Sequence, residues 1–141
     1  MVPDDASSAS RRRARLNDDF DFRRIFLVED EVIVAMDMAD MLQEMGFEVV
    51  GPAVHLEEGE ELARTAEIDA AFLDVNLGEH KTSKPIAQIL RDRGIPFIFV
   101  TAYTPEQVTF RTSDERVLRK PVTSEDMLRT LRQLLPHYEQ P

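Results

Sequence analysis

Five side chains in this chain of 141 residues have the types and spacing to do chemistry: Glu29, Asp30, Asp74, Thr101 and Lys120. Asp74 closes the apolar run Ala70-Ala71-Phe72-Leu73. Burying a lone carboxylate is expensive, so an acid at the end of a buried strand needs a reason. One plain reason is that it caps the following turn, a common role for aspartate. Another is that it works with the acids Glu29 and Asp30, which follow the apolar run Ile25–Val28. Three gathered carboxylates raise one another's pKa, and a divalent cation removes that penalty. Hard oxygen ligands with a partly hydrated shell suit Mg²⁺. Adding an ammonium and a hydroxyl makes a site for a transferring phosphoryl group, since both stabilise charge on its oxygens. A carboxylate nucleophile then yields an acyl phosphate.

These residues converge only if the chain folds to bring them together. Apolar runs at 24–28, 47–51, 70–74, 95–100 and 116–119 read as five strands. Between them, helical spacing predicts helices at about 32–45, 55–67, a third segment bounded by Pro85 and Gly94, and about 124–135. Val32, Ala35, Met36, Ala39 and Leu42 form the expected core face of the first helix. Met38 and Met41 fall outside that stripe and are expected to serve docking. The last helix is expected to bury Met127, Leu128, Leu131, Leu134 and Leu135. Thr104-Pro105-Glu106-Gln107 resembles a capping box, but Thr109, Phe110 and Thr112 are poor helix formers, so the helix it opens is expected to be short. Repeated β-α alternation predicts a doubly wound, flavodoxin-like parallel sheet with right-handed crossovers. In open parallel sheets, ligands bind beyond the carboxyl ends of the strands. Glu29, Asp30, Asp74, Thr101 and Lys120 all lie at such ends.

Composition narrows the function classes. The chain has no cysteine, which excludes disulfides and thiolate metal sites, and no histidine spacing suggests zinc. No apolar run approaches the roughly 18–20 residues that span a bilayer, and a secretion signal is absent, so a cytoplasmic protein without membrane contact is expected. Net charge is −10; residues 1–21 hold five acids and four arginines, net −1, leaving −9 for 22–141. Nucleic acid is therefore not an expected partner of the folded part. Residues 1–21 read as a flexible tail carrying one basic cluster, Arg11-Arg12-Arg13 with Arg15, and residues 22–138 as one domain.

With those residues in place, the chain resembles the receiver domain of two-component response regulators. The resemblance rests on Leu27-Val28-Glu29-Asp30-Glu31, Leu73-Asp74-Val75-Asn76-Leu77, Thr101-Ala102 and Lys120-Pro121, and covers about residues 23–136. It implies strand order 2-1-3-4-5 and a histidine kinase as phosphodonor to Asp74. It also implies Mg²⁺ on Asp30, Asp74 and the backbone carbonyl of Asn76, with Glu29 holding the metal through water. Phosphoryl oxygens would be bound by Thr101, the Ala102 N–H and Lys120, and the Lys120-Pro121 bond would be cis. Pro96-Phe97-Ile98-Phe99-Val100-Thr101-Ala102-Tyr103 is similar to the signature of the FAT GUY receivers, which often stand alone and pair with kinases of the HWE and related classes. That subfamily has Gly where this chain has Ala102.

The chain departs from ordinary receivers where the switch aromatic belongs, since Val117 stands three residues before Lys120. Tyr103 is the available substitute, and the weak segment after it is expected to become ordered on phosphorylation. His80, in the polar loop beside Asp74, reads as a solvated side chain. The expectation is a monomeric or weakly dimeric single-domain regulator, not an enzyme beyond its own phosphorylation. It would work through an unidentified downstream protein or as a phosphate sink. Two other classes compete: a receiver fold kept as a phosphorylation-independent interaction module, and a small-molecule phosphatase. Five intact site residues weigh against the first, and the lack of room for a substrate cap weighs against the second.

Overall fold

The structure is a computed structural model that describes residues 23–112 and 114–135. The basic cluster at Arg11–Arg15 and His137 lie outside these residues. Five strands alternate with helices: β1 (Arg24–Val28), α1 (Val32–Glu44), β2 (Glu48–Ala53), α2 (Leu56–Thr65), β3 (Ala70–Asp74), α3 (Lys84–Arg93), β4 (Phe97–Thr101), β5 (Arg116–Arg119) and α4 (Ser124–Leu134). The sheet is wholly parallel, as the β-α alternation predicts, in the order β2-β1-β3-β4-β5 that the family resemblance implies.

Strand side chains alternate between faces, and each face has its own core. Phe26, Val28, Ala71, Leu73, Phe97 and Phe99 pack with Ala63 of α2 and with Ile86 and Leu90 of α3. Ile25, Leu27, Ala70, Phe72, Ile98 and Val100 pack with Met38 and Leu42 of α1 and with Met127 and Leu131 of α4. Each fully buried side chain such as Phe72 or Leu42 contributes about 1.5–3 kcal/mol. With both faces covered, β3 and β4 are buried along their whole length. Their carboxyl ends, Asp74 and Thr101, are therefore held by rigid elements. Gly94 ends α3 in the left-handed conformation at φ +71°, which glycine adopts without steric cost. No helix among the described residues is long and apolar enough to cross a membrane.

One expectation fails. The buried face of α1 is Ala35, Met38, Ala39 and Leu42, whereas Val32 and Met36 are exposed. The helix is apolar almost all round, so periodicity alone leaves its phase open. The structure turns Met38 inward and leaves Ile33 as the most exposed large apolar side chain of the helix, at 85%. Met41 is half-buried against the same core.

The fourth helical segment is short, as expected: a single 3₁₀ turn, Pro105–Gln107, opened by a capping box in which the Thr104 N–H donates to Gln107 Oε1 at 2.8 Å. The segment after it is pinned from outside. Phe110 sits edge-on against Phe99 at 5.3 Å between centroids. Arg91 of α3 donates to both Glu115 carboxylate oxygens at 2.7 Å and to the Phe110 carbonyl at 2.6 Å.

Candidate phosphoryl-transfer site

The site is built on four strand ends. β1 leads directly into Glu29 and Asp30, β3 ends in Asp74, β4 ends in Thr101, and β5 leads into Lys120. The sheet register holds the second half of the site together. Thr101 pairs with Arg119 across β4 and β5, and the Lys120 N–H donates to the Thr101 carbonyl at 2.9 Å. The Lys120-Pro121 peptide is cis, as the family resemblance implied.

Carboxylate oxygens of Glu29, Asp30 and Asp74 lie within 4.8 Å of one another. Lys120 reaches in from the other side, its Nζ 3.1 Å from Glu29 Oε1 and 3.4 Å from Asp74 Oδ2. Glu29 is 1% exposed, Asp74 4% and Thr101 1%. One ammonium against three carboxylates leaves an excess of negative charge. Desolvation, a hydrogen bond with Asp30 and the charge of Glu29 push the Asp74 pKa up to about 8, and the attraction of Lys120 only partly offsets them. Burial works to lower the Lys120 pKa, but the combined pull of Asp74 and Glu29 outweighs it and raises the ammonium above the usual lysine value.

This donor set fits a hard divalent cation. All three groups offer oxygen, and together they carry more negative charge than Lys120 neutralises. Glu29 Oε1 is buried and accepts no hydrogen bond of proper geometry. Lys120 Nζ stands 3.1 Å from it as an ion pair, while Glu29 Oε2 accepts from the Glu31 N–H at 3.2 Å and from Lys120 Nζ at 3.4 Å. A buried carboxylate oxygen without a donor is costly, and a metal shell supplies what it lacks.

The other predicted residues fall around this centre. Asn76 follows β3 by two residues and forms an antiparallel bridge with Thr82, so its backbone is fixed by the loop. The Thr101 hydroxyl oxygen accepts from the Tyr103 N–H at 3.1 Å, and the Ala102 carbonyl accepts from Arg119 at 3.2 Å. Tyr103 itself is 49% exposed.

Sequence reasoning placed a polar loop after Asn76 but missed its tight turn. Gly78 sits at φ +76°, a conformation that glycine adopts without steric cost, and a Cβ there would meet Asp30 Oδ2 only at ordinary contact distance, 3.5 Å. The next two residues, Glu79 (φ 50°) and His80 (φ 62°), are also left-handed, and the Lys81 N–H donates to the Gly78 carbonyl at 2.8 Å. That is a two-residue hairpin turn of the kind usually filled by Asn-Gly. Each non-glycine residue held there costs about 1–2 kcal/mol. His80→Gly should therefore raise stability by ~0.5–1 kcal/mol in urea unfolding, the gain trimmed by the added freedom of the unfolded chain. A loss instead would mean that the exposed imidazole holds the loop.

The fold and its acidic, lysine-bearing edge are those of a receiver-type domain. The model of the response regulator receiver domain matches residues 25–132, and the chain belongs to that family. The transcriptional regulatory protein PdtaR of Mycobacterium tuberculosis is 30% identical over 109 residues, covering 75% of this chain and 53% of PdtaR. The chain thus spans about half the length of the curated relatives it matches. Among solved structures, the BeF3-activated conformation of SdrG from Pseudomonas melonis Fr1 is 36% identical, with TM-score 0.68 over 82% of this chain and 98% of that one. The receiver domain of the sensor histidine kinase PA1611 from Pseudomonas aeruginosa PAO1, solved with a magnesium ion in its active site cleft, is 21% identical. It matches with TM-score 0.69 over 80% of this chain and 97% of that one, a likeness of fold.

Proposed function

We propose that this protein is a cytoplasmic response regulator whose receiver domain accepts a phosphoryl group on Asp74 from the phosphohistidine of a histidine kinase. The observation that carries the reading is the buried cluster of Glu29, Asp30 and Asp74 with Lys120 Nζ at 3.1–3.4 Å from two of them. Asp74 Oδ attacks phosphorus, the P–N bond breaks, and its electron pair leaves with the imidazole. The Lys120 ammonium and the Thr101 hydroxyl receive the phosphoryl oxygens, together with the Ala102 N–H. Glu29, Asp30, Asp74 and the Asn76 carbonyl would hold Mg²⁺, which when bound neutralises the acids and the incoming phosphoryl charge. Modification is confined to the protein's own Asp74, so it is no enzyme towards an external substrate. The segment Pro96–Tyr103 supports membership of the FAT GUY subfamily and a donor kinase of the HWE or a related class. The effect is passed on by contact with a downstream protein or by draining phosphoryl groups from the kinase. The BeF3-activated form of SdrG, at 36% identity, supports a phosphorylatable site.

The test is intact mass after incubation with acetyl phosphate and Mg²⁺. One added phosphoryl group is expected in the native chain, and none in Asp74→Asn or without Mg²⁺. Failure with acetyl phosphate and again with a phosphorylated kinase would leave an interaction module.

A further inference from the structure

One peptide unit beside the phosphoryl-binding residues is held at both ends. Beyond β4 the chain turns through Ala102, Tyr103 and Thr104 before the 3₁₀ turn that starts at Pro105. The peptide that joins Ala102 to Tyr103 is planar and trans, so its carbonyl and its N–H point in opposite directions. The N–H donates to the Thr101 hydroxyl oxygen at 3.1 Å, and the carbonyl accepts from Arg119 Nη2 at 3.2 Å. The plane cannot swing without breaking a contact at one end or the other.

The consequence falls on Thr101. A hydroxyl has one proton to donate and two lone pairs that accept. With a lone pair engaged by the Tyr103 N–H, the hydroxyl of this buried residue keeps its proton for an acceptor on its other side. A guanidinium on the carbonyl also polarises the peptide and strengthens its N–H as a donor, because linked hydrogen bonds reinforce one another. The sheet register puts Arg119 where it can do this: it is the direct partner of Thr101 across β4 and β5, and the next residue, Lys120, donates its N–H to the Thr101 carbonyl at 2.9 Å. Two consecutive basic residues thus divide the work at the end of β5. Lys120 Nζ stands against Glu29 and Asp74, while the exposed Arg119 reaches over the end of β4 to the Ala102 carbonyl.

We propose that Arg119 is a positioning residue for phosphoryl transfer to Asp74. By clamping the Ala102–Tyr103 peptide it fixes the Thr101 hydroxyl and the adjoining Ala102 N–H in the orientation that meets the phosphoryl oxygens. It acts through Thr101 and Ala102, not by touching the phosphoryl group. The proposal rests on the phosphoacceptor reading, but the clamp itself can be measured with no phosphodonor present.

The test compares the full native chain with Arg119→Met and Arg119→Lys. At saturating acetyl phosphate and Mg²⁺, the methionine variant should gain mass about fivefold more slowly, the weight of one exposed hydrogen bond from a charged donor. Lysine keeps an ammonium that can donate to the carbonyl and should recover most of the rate. Calorimetric Mg²⁺ affinity should stay within about twofold in both, since the exposed charge of Arg119 is screened by salt. Without phosphodonor, the Tyr103 amide proton signal should move upfield in Arg119→Met and stay near its native position in Arg119→Lys. The slowing should persist near 0.5 M salt, where a screening length of ~4 Å erases long-range attraction of an anionic donor but not a direct hydrogen bond. If the native chain is phosphorylated, an unchanged rate in Arg119→Met, an unmoved Tyr103 amide, a slowing that vanishes in salt or a matching loss of Mg²⁺ affinity overturns the proposal and leaves the role of Asp74 standing. A native chain that takes up no phosphoryl group from acetyl phosphate or from a phosphorylated kinase removes the phosphoacceptor reading, and the proposal with it.

Discussion

In the absence of metal, Asp74→Asn is expected to stabilise the protein by a few kcal/mol at pH 8 and to change it little at pH 4. The folded Asp74 carboxyl titrates near pH 8, since desolvation, Asp30 and Glu29 together outweigh Lys120, while an unfolded aspartate titrates near 4. Between those values the folded state holds a proton that the unfolded state has released. Stability therefore falls as pH rises through that window, the opposite of a salt-bridged carboxylate whose pKa is depressed. Four pKa units set an upper bound of about 5 kcal/mol, and sharing of the proton within the acid cluster brings the effect below it. Asparagine keeps the shape, removes the charge and adds donors that Asp30 and Glu29 can use. For a domain of this size the gap corresponds to roughly 10 °C in Tm at pH 8. Saturating Mg²⁺ should close it, because binding to the folded state stabilises the native cluster and not the amide. Thermal melts of both proteins at pH 4, 6 and 8, with EDTA and with Mg²⁺, check every part. Equal Tm values in EDTA at pH 8 would show that Asp74 carries no such burden.

The features readable from sequence and those that are not differ in their physics. The five strands stand out because both faces of a parallel sheet are buried, which forces continuous apolar runs such as Ala70–Leu73 and Phe97–Val100. Strand ends then position the acids and the lysine without further information. The phase of α1 is not readable in the same way, since Val32, Ile33, Met36 and Met38 are all apolar and only packing against β1 and α4 selects Met38. The segment after the 3₁₀ turn is held by side chains distant in sequence, Phe99 against Phe110 and Arg91, whose clasp on Glu115 spans 24 residues and leaves no local trace. Contacts made between elements are where sequence reading stops.

Lys120→Met should separate two properties that a merely structural lysine would move together. The ammonium lies 3.1 Å from Glu29 and 3.4 Å from Asp74, so it competes for the same oxygens that suit a divalent cation. Removing it deletes a positive charge next to the metal position, and Mg²⁺ should bind about tenfold more tightly or better, given how strongly charges interact at this range in a partly buried site. Methionine retains an unbranched stem of similar length, so packing beside Pro121 is largely kept. Phosphorylation by acetyl phosphate should nonetheless slow by about 10²–10³-fold, the usual loss when one preorganised donor to the transferring group is removed. In EDTA, the Asp74 pKa should climb further above 8, since the one attraction holding it down is gone. Calorimetric Mg²⁺ titration and the rate of mass gain give the two readings on the same sample. Weaker Mg²⁺ binding together with slow phosphorylation would mean that the substitution disrupted the site as a whole. Unchanged phosphorylation would place the phosphoryl group out of reach of Lys120, and the acidic cluster would then need another partner to neutralise it.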